Sequence, residues 1–296
     1  MDIKNVTVCG TGVLGCQIAF QSAFHGFNVR LYNPKDESIS KAQTVIQALP
    51  QTYQHDIAAA PQQTAAALGR ITFSTDLGQA VRGADLVIEA VPELLDVKTA
   101  FYRALAQVAD AQTIFATNTS ALLPSQLMDA TGRPERFLAL HFANRIWLSN
   151  TAEIMGTPRT DPGVFDQIVA FAQAIGMVAL PLHKEQAGYI LNSLLIPLIN
   201  AGLALVVGGV AEPQTVDKTW MVAMGAPRGP FASLDIIGLS TAYHITQAAA
   251  ARGDAQQAAV AAYLKGYLDQ GKLGVASGEG FYRYPDPAYL GDDFLK

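Results

Sequence analysis

Three glycines at fixed spacing constrain this chain more than any other feature. Gly10-Thr11-Gly12-Val13-Leu14-Gly15 follows the apolar, strand-forming Val6-Thr7-Val8 and opens a helix-compatible segment running through Ile18 and Ala19. In a strand–loop–helix unit the first glycine permits a tight turn, the second lets backbone approach a ligand, and the third lets helix and strand pack closely. The helix N-terminus then offers amide donors and the positive end of its dipole to a pyrophosphate. This unit predicts a doubly wound α/β sheet, with Gly10, Thr11, Gly12, Val13, Leu14 and Gly15 cradling a dinucleotide.

The rest of the N-terminal half keeps the same rhythm. Apolar, β-branched runs at 6–8, 29–32, 86–88, 113–116 and 137–140 alternate with longer helix-compatible segments, the pattern of parallel βαβ units. A parallel sheet is buried on both faces, so its strands read as continuous apolar runs such as Leu86-Val87-Ile88. From Lys184 the texture changes to long helical stretches: 188–207 carries no charge, and amphipathic segments follow around 213–224, 233–250 and 255–270. The expected architecture is an N-terminal Rossmann-type doubly wound parallel sheet over residues 1–184, then an all-helical domain over 185–296 for substrate binding and dimerisation. A chain of 296 residues, half of them hydrophobic, can fill two such cores.

Several classes are not expected. The net charge of −5 comes without a Lys/Arg-rich block, so nucleic acid is not an expected partner. Segment 188–207 is long enough to span a bilayer, but it contains Asn192, Ser193, Pro197, Asn200 and Gly202 and lacks flanking basic clusters and aromatic belts. It reads as a core or dimer helix, which predicts a homodimer and no membrane contact. The residues before Val6 lack the succession of a secretory signal, which predicts a cytoplasmic location. Cys9 and Cys16 fit neither a disulfide framework nor a zinc spacing and read as small packing residues; no metal is expected.

In a dinucleotide fold an acidic residue about 20 positions beyond the glycines usually bonds the ribose 2′-hydroxyl. Asn33 occupies that place, after Val29-Arg30-Leu31-Tyr32. A neutral amide can bond a hydroxyl but does not repel a 2′-phosphate, and Lys35 is close in sequence, whereas Asp36 and Glu37 oppose a phosphate. NAD is the expected cofactor, with NADP the alternative.

Alcohol/ketone chemistry needs a group that gives or takes the hydroxyl proton while hydride moves, and an imidazole titrating near neutrality suits that task. His141 ends the apolar run 137–140, at the carboxyl end of a strand, where open α/β sheets place ligands. Glu153 lies just beyond the next turn, so a hairpin-like return could bring its carboxylate to the imidazole and fix its tautomer. By spacing alone, a core histidine with a solvated glutamate competes with this reading.

The chain resembles the 3-hydroxyacyl-CoA dehydrogenase family over nearly its full length. The matching pieces are the glycine loop, Glu89-Ala90-Val91-Pro92-Glu93 with Lys98, Asn118-Thr119-Ser120, His141-Phe142-Ala143-Asn144, Glu153, Leu191-Asn192-Ser193, Gly229-Pro230-Phe231 and Gly278-Glu279-Gly280-Phe281-Tyr282. Leu122-Leu123-Pro124-Ser125 and the stretch from Ile146-Trp147 to Glu153 look most like bacterial diketoreductases within it. The resemblance implies an NAD(H)-dependent oxidoreductase of fatty acid metabolism that interconverts 3-hydroxy and 3-keto acyl compounds. It implies His141 as general acid/base, Glu153 as its electrostatic partner, and Ser120 and Asn192 placing the substrate oxygen. It further implies that Glu93, Lys98, Ser120 and Asn144 border the nicotinamide end of the cofactor, and that Gly229-Pro230-Phe231 shapes the helical domain.

The chain also departs from the family. Where many members read His-Phe-Phe-Asn-Pro, it has Ala143 and Arg145. Members that bind coenzyme A commonly carry lysines in the helical excursion after the second strand, yet residues 42–69 contain no Lys or Arg, and a lysine often found before the Gly-Glu-Gly-Phe segment is Ala276. A free or esterified 3-keto or 3,5-diketo acid therefore stands beside a CoA thioester as the expected substrate. A gulonate-type sugar-acid dehydrogenase and a non-catalytic nicotinamide-binding protein are the remaining alternatives.

Overall fold

The computed structural model describes residues 3–296, which divide into two compact units, one up to Ile190 and one from Leu191. The first unit is built on β1 (Asn5–Cys9), β2 (Asn28–Tyr32), β3 (Ile71–Ser74), β4 (Leu86–Glu89), β5 (Ile114–Thr117), β6 (Phe137–Phe142), β7 (Thr151–Gly156) and β8 (Val178–Leu182). They form one eight-stranded sheet in the order β3-β2-β1-β4-β5-β6-β7-β8. Strands β1 to β6 run parallel; β7 turns back antiparallel to β6, and β8 is parallel to β7. The strand order reverses between β1 and β4, the place where a doubly wound sheet opens a crevice for a ligand.

Side-chain alternation along the strands separates two cores. Leu86 and Ile88 of β4, Leu138, Leu140 and Phe142 of β6, and Ile154 of β7 point into the larger core. It is shared with α1 (Val13–Phe24), α2 (Asp36–Ile57), α3 (Pro61–Gly69) and α6 (Pro162–Ala174). Val87, Phe115 and Phe137 point the other way, onto α4 (Leu77–Val81) and α5 (Leu95–Val108). A strand repeats every two residues, so Glu89, Thr117, His141 and Glu153 all belong to this second face. Each lies at the end of its strand nearest the glycine loop.

Two strands that the apolar pattern did not announce complete the sheet. β3 has only four residues at the sheet edge, and β8 carries Pro181, which an edge strand tolerates because one side of its ladder is unpaired.

The second unit is helical. It takes most of α7 (Tyr189–Val207), then α8 (Pro213–Met224), α9 (Pro230–Ile237), α10 (Leu239–Ala250) and α11 (Ala255–Leu268). The expected single stretch over 233–250 is broken at Gly238, whose φ of +97° no helix continues through. Leu203, Phe231, Leu234, Leu264, Phe281 and Tyr282 lie in its core. Two buried carboxylates frame that core. Asp217 accepts the amides of Phe231 and Ala232 and the Tyr282 hydroxyl; Asp235 accepts the amides of Phe281 and Tyr282 and the Tyr284 hydroxyl. A side chain at Gly229 would collide with Asp217, and one at Gly280 with Asp235, which is why both motifs carry glycine there. Among the described residues α7 is the one helix long and apolar enough to cross a membrane by length and composition, and Pro197 stands inside it.

Candidate active site

The glycine loop joins β1 to α1 as expected. A Cβ on Gly10 would strike the Ala90 carbonyl and one on Gly15 the Gly10 carbonyl, so both close the turn against neighbouring backbone. Gly12 differs: nothing lies within 4 Å of where its Cβ would be. The open side of the loop therefore faces space, next to the first-turn amides of α1, which have no partners within the helix. This cradle fits a dinucleotide pyrophosphate. Cys9 and Cys16 flank it as buried free thiols, and burial pushes the Cys16 thiol up to about 11, far from the reactive range.

Asn33 follows β2. Its amide donates to the Thr11 hydroxyl at 2.9 Å while its carbonyl oxygen accepts the Lys35 amide at 3.1 Å. It thus ties the end of β2 to the glycine loop and leaves a neutral group where an acid usually stands.

β6 and β7 set the reacting pair by register. His141 and Glu153 are directly opposed in the antiparallel ladder, both buried. His141 Nδ1 lies 3.0 Å from Glu153 Oε2, and Nε2 lies 3.0 Å from Ser120 Oγ. An ionised carboxylate only accepts, so Nδ1 carries hydrogen and Nε2 is left to take or give a proton. Glu153 Oε1 accepts the Ile190 amide at 2.8 Å. The Tyr189 ring stacks on the imidazole with centroids 4.4 Å apart and planes 18° from parallel, and its hydroxyl donates to the Thr119 carbonyl at 2.7 Å. Tyr189 has a φ of +54°, an uncommon conformation for a bulky side chain, here fixed by that stack and hydrogen bond.

Ser120 sits on the turn after β5, held from two sides. Glu93 Oε1 accepts the Thr119 hydroxyl and the amides of Ser120 and Ala121, the latter two at 2.8 and 2.9 Å. Asn118 Oδ1 accepts the Phe142 amide at 3.0 Å, joining the turn to β6. Partial burial pushes the Glu93 carboxyl up, but Thr119, Lys98 and the Ala121 amide together outweigh it and draw the group below its ordinary value. Lys98, on α5, is 1% exposed and lies 3.1 Å from Glu93 Oε2.

The remaining predicted positions are less enclosed. Asn144 is exposed in the connection between β6 and β7. Asn192 stands on α7 in the second unit. In the same connection, Arg145, with a φ of +58°, places its guanidinium 3.1 Å from Asp56 Oδ2, and Trp147 Nε1 donates to the same oxygen at 2.8 Å. Gln17 Oε1 of α1 accepts the Arg145 amide at 2.8 Å. Tyr189, Gln17 and Asp56 had no part in the sequence-based site, and Asn118 stood there only within the Asn-Thr-Ser motif, without a role. Gly188 before Tyr189 and the Asn-Thr-Ser turn were visible signals for Tyr189 and Asn118; nothing local marks Gln17 and Asp56.

A dinucleotide cradle at the switch point, with a carboxylate–imidazole–hydroxyl series at the carboxyl ends of β5 and β6, defines a nicotinamide-dependent dehydrogenase. Residues 5–186 match the family described as 3-hydroxyacyl-CoA dehydrogenase, NAD binding domain, and residues 188–284 its C-terminal domain. The chain is 32% identical to human mitochondrial hydroxyacyl-coenzyme A dehydrogenase, over 95% of this chain and 91% of that one. It is 31% identical to a probable 3-hydroxybutyryl-CoA dehydrogenase of Bacillus subtilis, over 97% and 99%. A solved diketoreductase, described by its dual catalysis of dicarbonyl compounds, is 55% identical with a TM-score of 0.91, over 96% and 100%. The chain belongs to the 3-hydroxyacyl-CoA dehydrogenase family, and it is an oxidoreductase that moves hydride between a nicotinamide and a CH–OH carbon.

Proposed function

We propose that this enzyme reduces a compact 3-keto or 3,5-diketo acid or ester to the 3-hydroxy compound, with His141 as the general acid and NADH as the preferred cofactor. One observation carries the chemistry: the His141 imidazole is held between Glu153 on Nδ1 and Ser120 on Nε2, each at 3.0 Å. The bound nicotinamide supplies the hydride. The protein supplies the proton and the charge stabilisation. With Nε2 protonated, His141 and the Ser120 hydroxyl both donate to the ketone oxygen, and His141 gives up its proton as the alkoxide forms. Glu153 stabilises the imidazolium before transfer and keeps hydrogen on Nδ1 after it. Oxidation reverses each step. Family resemblance alone gives Asn192 the substrate oxygen and Asn144 a place by the nicotinamide.

The substrate class rests on charge. The helical excursion α2–α3 has no Lys or Arg from 42 to 69; at its margins Lys41 is paired with Glu37 and Arg145 with Asp56, while Arg70, just after α3, turns its guanidinium to the Ala23 carbonyl at 3.5 Å. A CoA thioester brings phosphates that need unpaired cations. The likeness to a diketoreductase supports the same reading. The CoA-dependent relatives favour a thioester, so it is the second reading.

NADH is preferred over NADPH because Asp36 and Glu37 follow Asn33, although Asn33 itself repels nothing. A second copy of the chain is the proposed cover for the apolar residues Leu194, Val222, Met224 and Ile245, which are exposed in the second unit.

The deciding experiment follows NADH and NADPH oxidation with a 3,5-diketo ester and with acetoacetyl-CoA, in wild type and His141→Ala. Turnover of the ester lost in His141→Ala is expected. Faster turnover of the thioester would replace the substrate assignment, and no turnover of either would point to a polyol substrate.

A further inference from the structure

Beneath the Ser120 turn lies an ion pair that the chemistry above does not use. Glu89 closes β4 and is fully buried. Its Oε1 accepts the Lys98 ammonium at 2.5 Å and the Val91 amide at 2.8 Å; its Oε2 accepts the Thr117 hydroxyl at 2.7 Å and the Tyr102 hydroxyl at 3.3 Å. Lys98 also reaches the Val91 carbonyl at 3.2 Å and Glu93 Oε2 at 3.1 Å. An ammonium has three protons and no acceptor. Those of Lys98 meet Glu89, Val91 and Glu93.

A buried ion pair is weak evidence for stability, because desolvating two charges offsets most of their attraction. Burial raises the Glu89 carboxyl, and Lys98, Thr117 and the Val91 amide pull it back. A hydrophobic pair could fill the same space. What it could not do is orient Glu93, whose other oxygen holds the Thr119 hydroxyl and the amides of Ser120 and Ala121.

We propose that Glu89 is a positioning residue: through Lys98 and Glu93 it fixes the Ser120 turn so that Ser120 Oγ stays against His141 Nε2. The proposal rests on the reading of Ser120 and His141 given above. Glu89 is placed for this by strand register, on the face of the sheet that carries Thr117 and His141. Removing its charge leaves Glu93 as the one carboxylate on Lys98, so Glu93 Oε2 is drawn toward the ammonium and Oε1 loosens from the turn.

The test is a double-mutant cycle on kcat, with the NADH dissociation constant measured by fluorescence titration. Glu89→Gln is expected to lower kcat about tenfold or more while NADH affinity moves less than about threefold, a split that general loosening of the fold would not produce. In a Ser120→Ala background, the same change is expected to slow the enzyme by less than about twofold further, because both act through one hydroxyl. Losses that multiply, or a Glu89→Gln enzyme with wild-type kcat, overturn the proposal. If Glu89→Gln does not fold, Tyr102→Phe, which removes one hydroxyl from the same carboxylate and leaves the pair charged, is read in the same way. Failure of the active-site reading looks different: Ser120→Ala then keeps full kcat, and a slow Glu89→Gln rejects the route through Ser120.

Discussion

Ile190 donates its backbone N–H to Oε1 of Glu153 at 2.8 Å, so the carboxylate that orients the imidazole is itself held by the main chain on the side away from His141. The carboxylate cannot rotate without leaving an amide unpaired. His141 is thereby oriented by its ladder partner Glu153, which is itself held by a backbone amide at the start of α7.

Glu153→Gln should therefore be a mutation of chemistry and not of binding. The neutral amide loses the stabilisation of the imidazolium and can turn a donor toward Nδ1, which imposes the wrong tautomer. A fall in kcat of about 10²–10⁴ is expected, with NADH affinity unchanged within about threefold. Steady-state kinetics and a cofactor titration check it, and a kcat near wild type would remove the pair from the mechanism.

The glycines separate cofactor binding from folding. Gly12→Ala projects into open space, so thermal stability should stay within about 0.5 kcal/mol, while the dissociation constant for NADH should rise at least about tenfold as the methyl meets the pyrophosphate. Gly10→Ala collides with the Ala90 carbonyl at a φ of +127° and should unfold at a clearly lower temperature even without cofactor. If Gly12→Ala bound NADH normally, the cradle would have been placed on the wrong loop.

Much of this was legible in the sequence because local patterns carried it. The glycine loop, the apolar β1, β4, β5 and β6, and His141 at the end of a strand are all local, and the return of β7 was readable from Glu153 opening a second apolar run. β3 and β8 were not, since four edge residues and a strand containing Pro181 have no distinctive period. The contacts behind the site were also hidden. Gln17 meets Arg145, and Asp56 meets Trp147, across separations of 128 and 91 positions along the chain. A long-range hydrogen bond leaves no trace in spacing.

The Asp56 contacts predict a pH dependence. Its carboxyl is held down to about 2, from an ordinary 3.8, by hydrogen bonds from His55, then Trp147, then Arg145. A carboxyl lowered in the folded state stabilises above its ordinary value, and the gain disappears as pH falls through the lowered one. Asp56→Asn should thus lower Tm by about 2–4 °C at pH 7, equivalent to ~1 kcal/mol, and the gap should close between pH about 4 and 2. Calorimetry across that range decides it; a gap that stayed constant would mean the contacts do not depend on charge.

Asp217 and Asp235 carry the opposite sign. Burial raises both carboxyls, with the backbone amides they accept pulling back. Their contribution to stability is complete below the ordinary carboxylate value and is lost as pH rises through the raised one. Mild acidification should strengthen the second unit. Asp235→Ala removes the buried charge but strands two amides and a hydroxyl, at about 1–3 kcal/mol each, so a net loss of ~3 kcal/mol or more is expected in urea unfolding. An unchanged midpoint would show that water replaces the carboxylate.

The antiparallel register of β6 and β7 has a consequence for how such an enzyme can change over generations. The acid/base pair is fixed by main-chain hydrogen bonds between two strands, so the connection between them, 143–150, can be rewritten without disturbing it. Arg145 in place of a common proline is one such rewriting. Changes within that connection leave the proton-transfer pair where the ladder holds it.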